Sequence, residues 1–394
     1  MYIKRIQEKD IEKSAKFFSV IAILGPRQSG KTTLAKQLFS KHTYTSLENI
    51  DTRNAAQYDP RTFLELHSNN NKHGLIIDEF QHVPDLLSYI QTMVDAQQKQ
   101  GYFVLTGSQN FLANQAIAQS LAGRVSLHTL LPLSIDELEA HNILPQDIES
   151  VLYHGLYPAI YTKKTPPNLL YRQYIRTYIE RDVRQLTQVG DLKTFQTFLM
   201  LCAERVGQNI NFTEIGKACQ ISDQTVKRWI AILEASYIIF TLQPYEKTLS
   251  KRFIKSPKLY FYDSGLVCSL LKIKQDELIQ HPKRGNIFES FVIAEIMKQF
   301  YNHGQDPTLY FWKDQQEHEV DCIIHYGRHL IAIEIKSSRT ANKNFLTNLS
   351  YWKNIAPPAH DKCYVVYGGN KQDISGYKEF VSWQSIATIM NFLD

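Results

Sequence analysis

Residues 19–39, SVIAILGPRQSGKTTLAKQLF, leave the chain little freedom of fold. The segment opens on an apolar, β-branched run, the pattern of a strand buried on both faces. A glycine-rich turn follows, and then a helix opening. The turn reads G-x-x-x-x-G-K-[ST], from Gly25 through Pro26, Arg27, Gln28 and Ser29 to Gly30, Lys31 and Thr32, with Thr33 next. Strand, loop and helix in that order imply a parallel α/β sheet. Glycines let backbone N–H groups wrap a phosphate, and the helix N-terminus favours its negative charge. Lys31 then reaches the β- and γ-phosphates of a nucleotide, and the Thr32 hydroxyl ligates Mg²⁺. A chance Lys-Thr after a glycine turn is the plainer reading, and the flanking strand and helix weigh against it.

Two further segments extend this pattern. HGLIIDEFQ contains a buried strand, 75–77, ending in Asp78 and Glu79. Acids at the end of a parallel strand lie at the ligand-binding edge of the sheet. Asp78 is expected to hold Mg²⁺ through water, and Glu79 to polarise the attacking water. Alone, the pair also reads as a surface turn. GYFVLTGSQ supplies a third strand, 103–106, ending in Gly107, Ser108 and Gln109, whose polar groups would lie near the γ-phosphate or serve only as turn chemistry. Arg124, in SLAGRVSL, reads in two ways. It neutralises transition-state charge, in cis or in a neighbouring subunit, or it is a helix-terminal arginine in water. A phosphate-transferring kinase fits less well, because Glu79 follows Asp78 and no acceptor-binding lid is evident.

Composition narrows the setting. At 394 residues, 43% hydrophobic and 21% charged, the chain has room for two or three folded domains. The charge sum, 44 − 39 = +5, permits nucleic-acid contact without demanding it. Apolar runs such as 330–335 are too short to span a bilayer. The N-terminal MYIKRIQEKDIEKSAKFF carries no signal-peptide core, so a cytoplasmic protein with no membrane partner is expected. Five cysteines without CxxC spacing read as reduced core thiols. Thirteen histidines without an HExxH pattern give no dedicated zinc site.

The organisation expected is a nucleotide-binding domain over 1–145, a helical, winged-helix-like region over 146–255, and a mixed α/β domain over 256–394. Breaks are suggested by the paired prolines of 163–168 and the basic stretch 243–258. Arg172, Arg176, Arg181 and Arg184 lie along one predicted helix, where Arg172, Arg176 and Glu180 share a face, the mark of a solvated, salt-bridged helix. The following NFTEIGKACQISDQTVKRWIAILEASYII reads as a helix over 213–219, a turn at Gln220 and Ile221, and a second helix capped by Ser222 or Asp223. Asp223, Gln224, Lys227 and Arg228 then lie where a recognition helix reads DNA. Lys247, Lys251, Arg252, Lys255 and Lys258, against Glu246, suit a basic wing and linker. A spacer between domains is the other reading.

From Gly285 the pattern runs helix, strand, strand, strand, helix, strand. Glu289 falls on the first helix, Asp321 on the second strand, and Glu334 and Lys336 on the third, two apart and so on one face. Asp321 and Glu334 on neighbouring strands could share Mg²⁺ or Mn²⁺. Lys336 would orient the attacking water or stabilise charge. A Glu–Lys cross-pair on an inactive sheet is the alternative.

GPRQSGKTT, LIIDEFQ, VLTGSQ, SLAGR and LPLS, in this order, resemble the bacterial and archaeal AAA+-type P-loop ATPases that carry a C-terminal domain of formerly unknown function. The resemblance spans about residues 4 to 368. It implies a P-loop NTPase sheet of the ASCE/AAA+ type, with Lys31, Thr32, Asp78 and Glu79 as the ATPase centre and Ser108 as sensor. The D…ExK pattern with a helical Glu is similar to the PD-(D/E)xK restriction-endonuclease-like superfamily, which implies a nuclease-like site of Glu289, Asp321, Glu334 and Lys336. The function expected is ATP binding and hydrolysis with Mg²⁺, coupling nucleotide state to nucleic-acid binding or metal-dependent cleavage, with DNA as partner and assembly as a homo-oligomer. The rival is a nucleotide-switched regulatory or scaffold protein whose nuclease-like domain is silent.

Overall fold

The structure is a computed structural model describing residues 1–69, 72–108, 117, 119–179, 192–245, 256–356, 362–370 and 379–393. Gln109, Glu180, Arg181, Arg184, Glu246, Lys247, Lys251, Arg252 and Lys255 lie outside the described residues. The chain divides into two compact units. One holds Met1–Leu133 with Ala235–Tyr237 and Tyr301–Gln305; the other holds Ser134–Glu234, Ile238–Phe300 and Asp306–Asp394. Among the described residues no helix is long and apolar enough to cross a membrane.

In the first unit the described residues form one parallel sheet of β1 (Val20–Gly25), β2 (Thr43–Ser46), β3 (Leu75–Asp78), β4 (Phe103–Ser108) and β5 (Val125–Thr129), in the order β2-β3-β4-β1-β5. The apolar run of β1 is buried throughout because both faces are covered. Val20, Ala22 and Leu24 join one core with Leu75, Ile77 and Leu105. Ile21 and Ile23 join the other with Ile11, Leu34, Ala35 and Val104. β4 separates β1 from β3, with Gly25 opposite Ser108 and Asp78 opposite Thr106. The glycine loop, Ser108 and Asp78 therefore leave the sheet at one edge.

The N-terminal stretch of this unit runs to Leu133, against the 145 expected. Ser134 opens a new helix, Ile135–Ala140, through a capping box with Glu137. The Ile135 N–H donates to the buried Glu295 carboxylate of the second unit at 2.9 Å, which ties this helix there.

In the second unit the expected break near 255 does not separate two bodies. β6 (Gln208–Asn209), β7 (Ile239–Pro244), β8 (Lys258–Phe261), β9 (Leu309–Lys313), β10 (Glu319–Tyr326), β11 (His329–Lys336), β12 (Lys362–Tyr367) and β13 (Phe380–Ser382) run as one sheet, ordered β13-β12-β11-β10-β9-β7-β8-β6. β7 makes the join, antiparallel to β8 and parallel to β9. Before it stand helices Phe212–Cys219 and Asp223–Ala235. Gln220 turns between them at φ +56°, and the Ser222 hydroxyl accepts the Thr225 N–H at 3.1 Å. After it come helix Arg284–Asn302, β9, β10, β11, helix Thr347–Ile355 and β12, the element order read from the sequence. Trp312, Trp352, Val320, Val365 and Phe380 centre the core of this part. All five cysteines are buried and free.

Candidate functional site

The glycine-rich loop depends on backbone that few residues adopt. Gly25 stands at φ +147°, and a Cβ there would fall 2.2 Å from the Leu130 carbonyl oxygen. Gly30 caps helix Lys31–Leu38 at φ +99°. Pro26 and Ser29 are buried, while Gln28 and Thr33 are exposed. Lys31 is buried and its Nζ donates to the Gly25 and Pro26 carbonyls at 3.1 and 2.8 Å. Its ammonium thus lies over the loop that should take phosphates. A residue not singled out in the sequence braces the loop. Buried Arg5 donates through Nη1 to the Ser29 carbonyl at 2.9 Å and through Nη2 to Leu131 at 2.7 Å.

Asp78 and Glu79, adjacent in sequence, are held by different partners. Asp78 Oδ1 accepts from the Thr32 hydroxyl at 2.9 Å and from the Thr106 hydroxyl. Its Oδ2 accepts from Tyr44 at 2.8 Å. Burial and then its hydrogen bond to Asp78 push the Tyr44 phenol up to about 12, so it stays a donor. Glu79 sits at φ +57°, a left-handed conformation costly for a side-chain-bearing residue. Its carboxylate accepts from Gln81 Nε2 and from Ser108 Oγ, the latter at 3.4 Å, and Gln81 also donates to Ser108 at 3.0 Å. Thr32 and Asp78 fit a magnesium–nucleotide, since the hydroxyl and carboxylate that would share the ion already meet. Sequence reasoning missed Tyr44, Thr106 and Gln81, although Gln81 lies two residues after Glu79 in DEFQ.

Arg124 is not brought to this edge. It immediately precedes Val125, which pairs with Val20 at the start of β1. The loop begins five residues later, roughly 16 Å away at about 3.3 Å per residue. There Arg124 makes a bidentate pair with Asp95 at 2.5 and 2.8 Å. A cis role at the phosphates is excluded by that placement.

The second cluster comes from three strands and a helix, each strand giving a pair two residues apart. Lys258 and Tyr260 of β8 meet Glu289, whose Oε1 accepts from Tyr260 at 2.6 Å and from Lys258 at 3.4 Å. Lys258 also bonds Glu319, two residues before Asp321 on β10. Asp321 Oδ2 accepts the Ile335 N–H at 2.7 Å. On β11, Lys336 Nζ pairs with Glu334 Oε1 at 2.6 Å, as their shared face implies. Glu334 Oε2 is buried without a partner among the described residues.

Burial sets the electrostatics. Burial and then the Asp321 charge push Glu334 up to about 8, against the opposing pull of Lys336. Burial pushes Glu289 up to about 7, with Lys258 opposing. Burial likewise raises Asp321, against Lys258 and Lys336. Desolvation alone would lower Lys258, yet Glu289, Asp321 and Glu319 offset it and hold the ammonium above its ordinary value. Removing one member of such a buried pair leaves an uncompensated charge, at a cost on the order of 3–5 kcal/mol.

Two expectations are corrected here. Lys258 is not on an exposed basic wing; its side chain is 4% exposed, inside the carboxylate cluster. Glu289, Asp321 and Glu334 are not gathered as one ligand set, and among the described residues no three His, Cys, Asp or Glu are grouped to hold a metal. Asp321 and the orphaned Glu334 oxygen fit a divalent ion only in part, because two ammoniums already serve these acids.

On the helix pair, Gln224, Lys227 and Arg228 are exposed, and Asp223 accepts from Thr213 at 2.6 Å. Arg172 and Arg176 are also exposed, Arg176 within the wide helical turn Ile175–Ile179.

Comparison with known proteins matches three stretches of the chain. An AAA domain family matches residues 18–139, and two domains of unknown function, DUF8612 and DUF4143, match residues 145–277 and 284–386. Residues 18–139 thus resemble an AAA-type ATPase domain, and the loop geometry above fits the phosphates of a nucleotide such as ATP. Uncharacterized proteins of Mycobacterium tuberculosis and Mycobacterium bovis are each 29% identical over 329 residues, 82% of this chain and 71% of theirs. The Walker-type ATPase of Pyrococcus abyssi aligns over 67% of this chain and 94% of its own at 12% identity and TM-score 0.45. AMPPCP-bound DnaA from Aquifex aeolicus aligns over 58% and 86% at 14% identity and TM-score 0.29.

Proposed function

We propose that this chain hydrolyses ATP and uses its nucleotide state to control engagement of DNA by the second unit. The observation that carries the first half is the meeting of Thr32 with Asp78 beside Lys31, with Glu79 held apart by Gln81 and Ser108. Bound Mg²⁺, held by Thr32 and Asp78, would neutralise charge on the β- and γ-phosphates. Lys31 exchanges its two carbonyl partners for phosphate oxygens. Glu79 accepts the proton of the attacking water, and Gln81 and Ser108 aim its carboxylate at the edge where the γ-phosphate lies. Glu79→Gln should bind ATP normally and turn it over on the order of a hundredfold more slowly, by phosphate release under single-turnover conditions. Equal turnover by wild type and variant would remove Glu79 from this role.

The second half rests on the exposed Gln224, Lys227 and Arg228 near the start of helix Asp223–Ala235, followed by the β7–β8 pair, an arrangement suited to groove and phosphate contact. Reversing both charges, as Lys227→Glu with Arg228→Glu, should weaken duplex binding. It should also lower the salt slope by about 0.9 for each phosphate that is no longer neutralised. No detectable binding by wild type at low salt would make this module a spacer. The ammoniums on the carboxylate cluster favour a nuclease-like site that is silent in this state. DNA engagement, not cleavage, is therefore the output proposed.

A further inference from the structure

Lys258 links acids of two elements in the second unit, Glu289 of the helix and Glu319 of β10, with Asp321 near enough to act on its charge, while Glu334 stands on β11 beside Lys336. In a buried site, carboxylates so placed need protons, a metal ion or a protein cation. The structure supplies the last. Lys258 Nζ lies on Glu289 Oε1 at 3.4 Å and on a Glu319 oxygen, and its side chain is 4% exposed. Its placement follows from strand alternation. Lys258 and Tyr260 share the face of β8 that meets helix Arg284–Asn302, and the Tyr260 hydroxyl closes on the same Glu289 oxygen at 2.6 Å. Across the cluster Glu334 Oε2 is buried with no partner among the described residues. One side of the site thus has its cation, and the other retains an acceptor.

We propose that Lys258 is the resident cation of this carboxylate site, and that a divalent metal ion and the Lys258 ammonium compete for it. The proposal rests on the reading of Asp321 and Glu334 as a divalent-ion pair. With Lys258 seated, a dication in the site would face the ammoniums of both Lys258 and Lys336 beside the acids. With the Lys258 charge removed, Glu289, Glu319 and Asp321 lose their shared counter-charge, and a metal ion becomes the group that restores it.

The test is Mn²⁺ binding to the full chain, followed by electron paramagnetic resonance of the free ion, for wild type, Lys258→Met, Lys258→Gln and Lys258→Met with Asp321→Asn. Lys258→Met and Lys258→Gln should bind Mn²⁺ at least tenfold more tightly than wild type, and the double variant should lose that gain. Mn²⁺ should also raise the melting temperature of Lys258→Met more than that of wild type. Folded Lys258 variants that bind Mn²⁺, but no better than wild type, overturn the competition and leave Asp321 and Glu334 standing as a divalent-ion site. If no variant binds Mn²⁺ at all, that pair falls too. Should Lys258→Met and Lys258→Gln fail to fold in chelator, recovery in millimolar Mn²⁺ supports the proposal, and failure to recover overturns it.

Discussion

The two charge clusters use the same materials, lysines and carboxylates at strand ends, and differ in what the lysines touch. In the first unit Lys31 donates to neutral carbonyls, Gly25 and Pro26, while Asp78 and Glu79 are served by hydroxyls and an amide. Such bonds contribute about 0.5–1.5 kcal/mol each and exchange readily for stronger ones to phosphate. In the second unit Lys258 and Lys336 each sit on a carboxylate. Breaking a buried charge pair costs several kcal/mol. The first cluster is therefore prepared for an added polyanion and its cation, whereas the second already carries its own compensation. An acidic constellation of the expected residue types is not evidence of a waiting metal site until the neighbouring cations are located.

The largest effect should come from emptying the first cluster of its cation. Charge-assisted bonds to phosphate are worth about 1.5–3 kcal/mol each. Lys31→Ala, which loses two phosphate partners, should weaken ATP binding on the order of a hundredfold or more in a fluorescent-nucleotide titration. Near-normal affinity would mean that the loop backbone alone holds the phosphates, and the contrast with the second cluster would collapse.

A smaller effect concerns the self-compensated cluster and pH. Burial, with the Asp321 charge behind it, pushes the Glu334 carboxyl from its ordinary 4.5 up to about 8. The folded state thus holds a proton that the unfolded chain has released. Its contribution to stability is complete below about 4.5 and is lost as the pH climbs through about 8. In chelator, urea melts of wild type should show stability falling across that window. Glu334→Gln should flatten the fall by at most about 1.4 kcal/mol per pH unit, the limit for one proton. Asp321, Lys336 and Asn348 face Glu334, so an unchanged slope would show that Lys336 holds it ionised throughout.

The smallest effect is expected at Arg124. Its pair with Asp95 is solvent-exposed and lies at the edge of the sheet opposite the phosphate loop. Arg124→Ala should leave ATP turnover within about twofold of wild type and move the melting temperature by no more than about 4 °C, in keeping with the weak worth of exposed pairs. A large loss of turnover would instead assign Arg124 to the site of a neighbouring copy.

Much of the first cluster was legible because its information is local. The glycine spacing, Lys31, Thr32 and the acids ending a buried strand all lie within short windows, and backbone preference acts over the same range. Gln81 was legible in principle, two residues from Glu79. Tyr44 and Thr106 were not, since they reach Asp78 only through the order β2-β3-β4. In the second unit the helix and strand order from Gly285 was readable from periodicity, and so was the shared face of Glu334 and Lys336. Lys258 was misread for a physical reason. Five cations within 247–258 look solvated in a local window, yet the last of them begins a strand that is buried on both faces.

By itself, then, the sequence determined the phosphate loop, the acids at its sheet edge and the alternation of faces along each strand, because these follow from dihedral preference and period. Tertiary structure alone decided which charges meet. It set Arg124 at the far edge from the loop, joined the middle region to the last sheet through β7 and β9, and seated Lys258 among Glu289, Glu319 and Asp321. Charge pairing depends on distance through space, and residues 258, 289 and 319 come within reach of one another only when β8, β10 and the helix between them have packed.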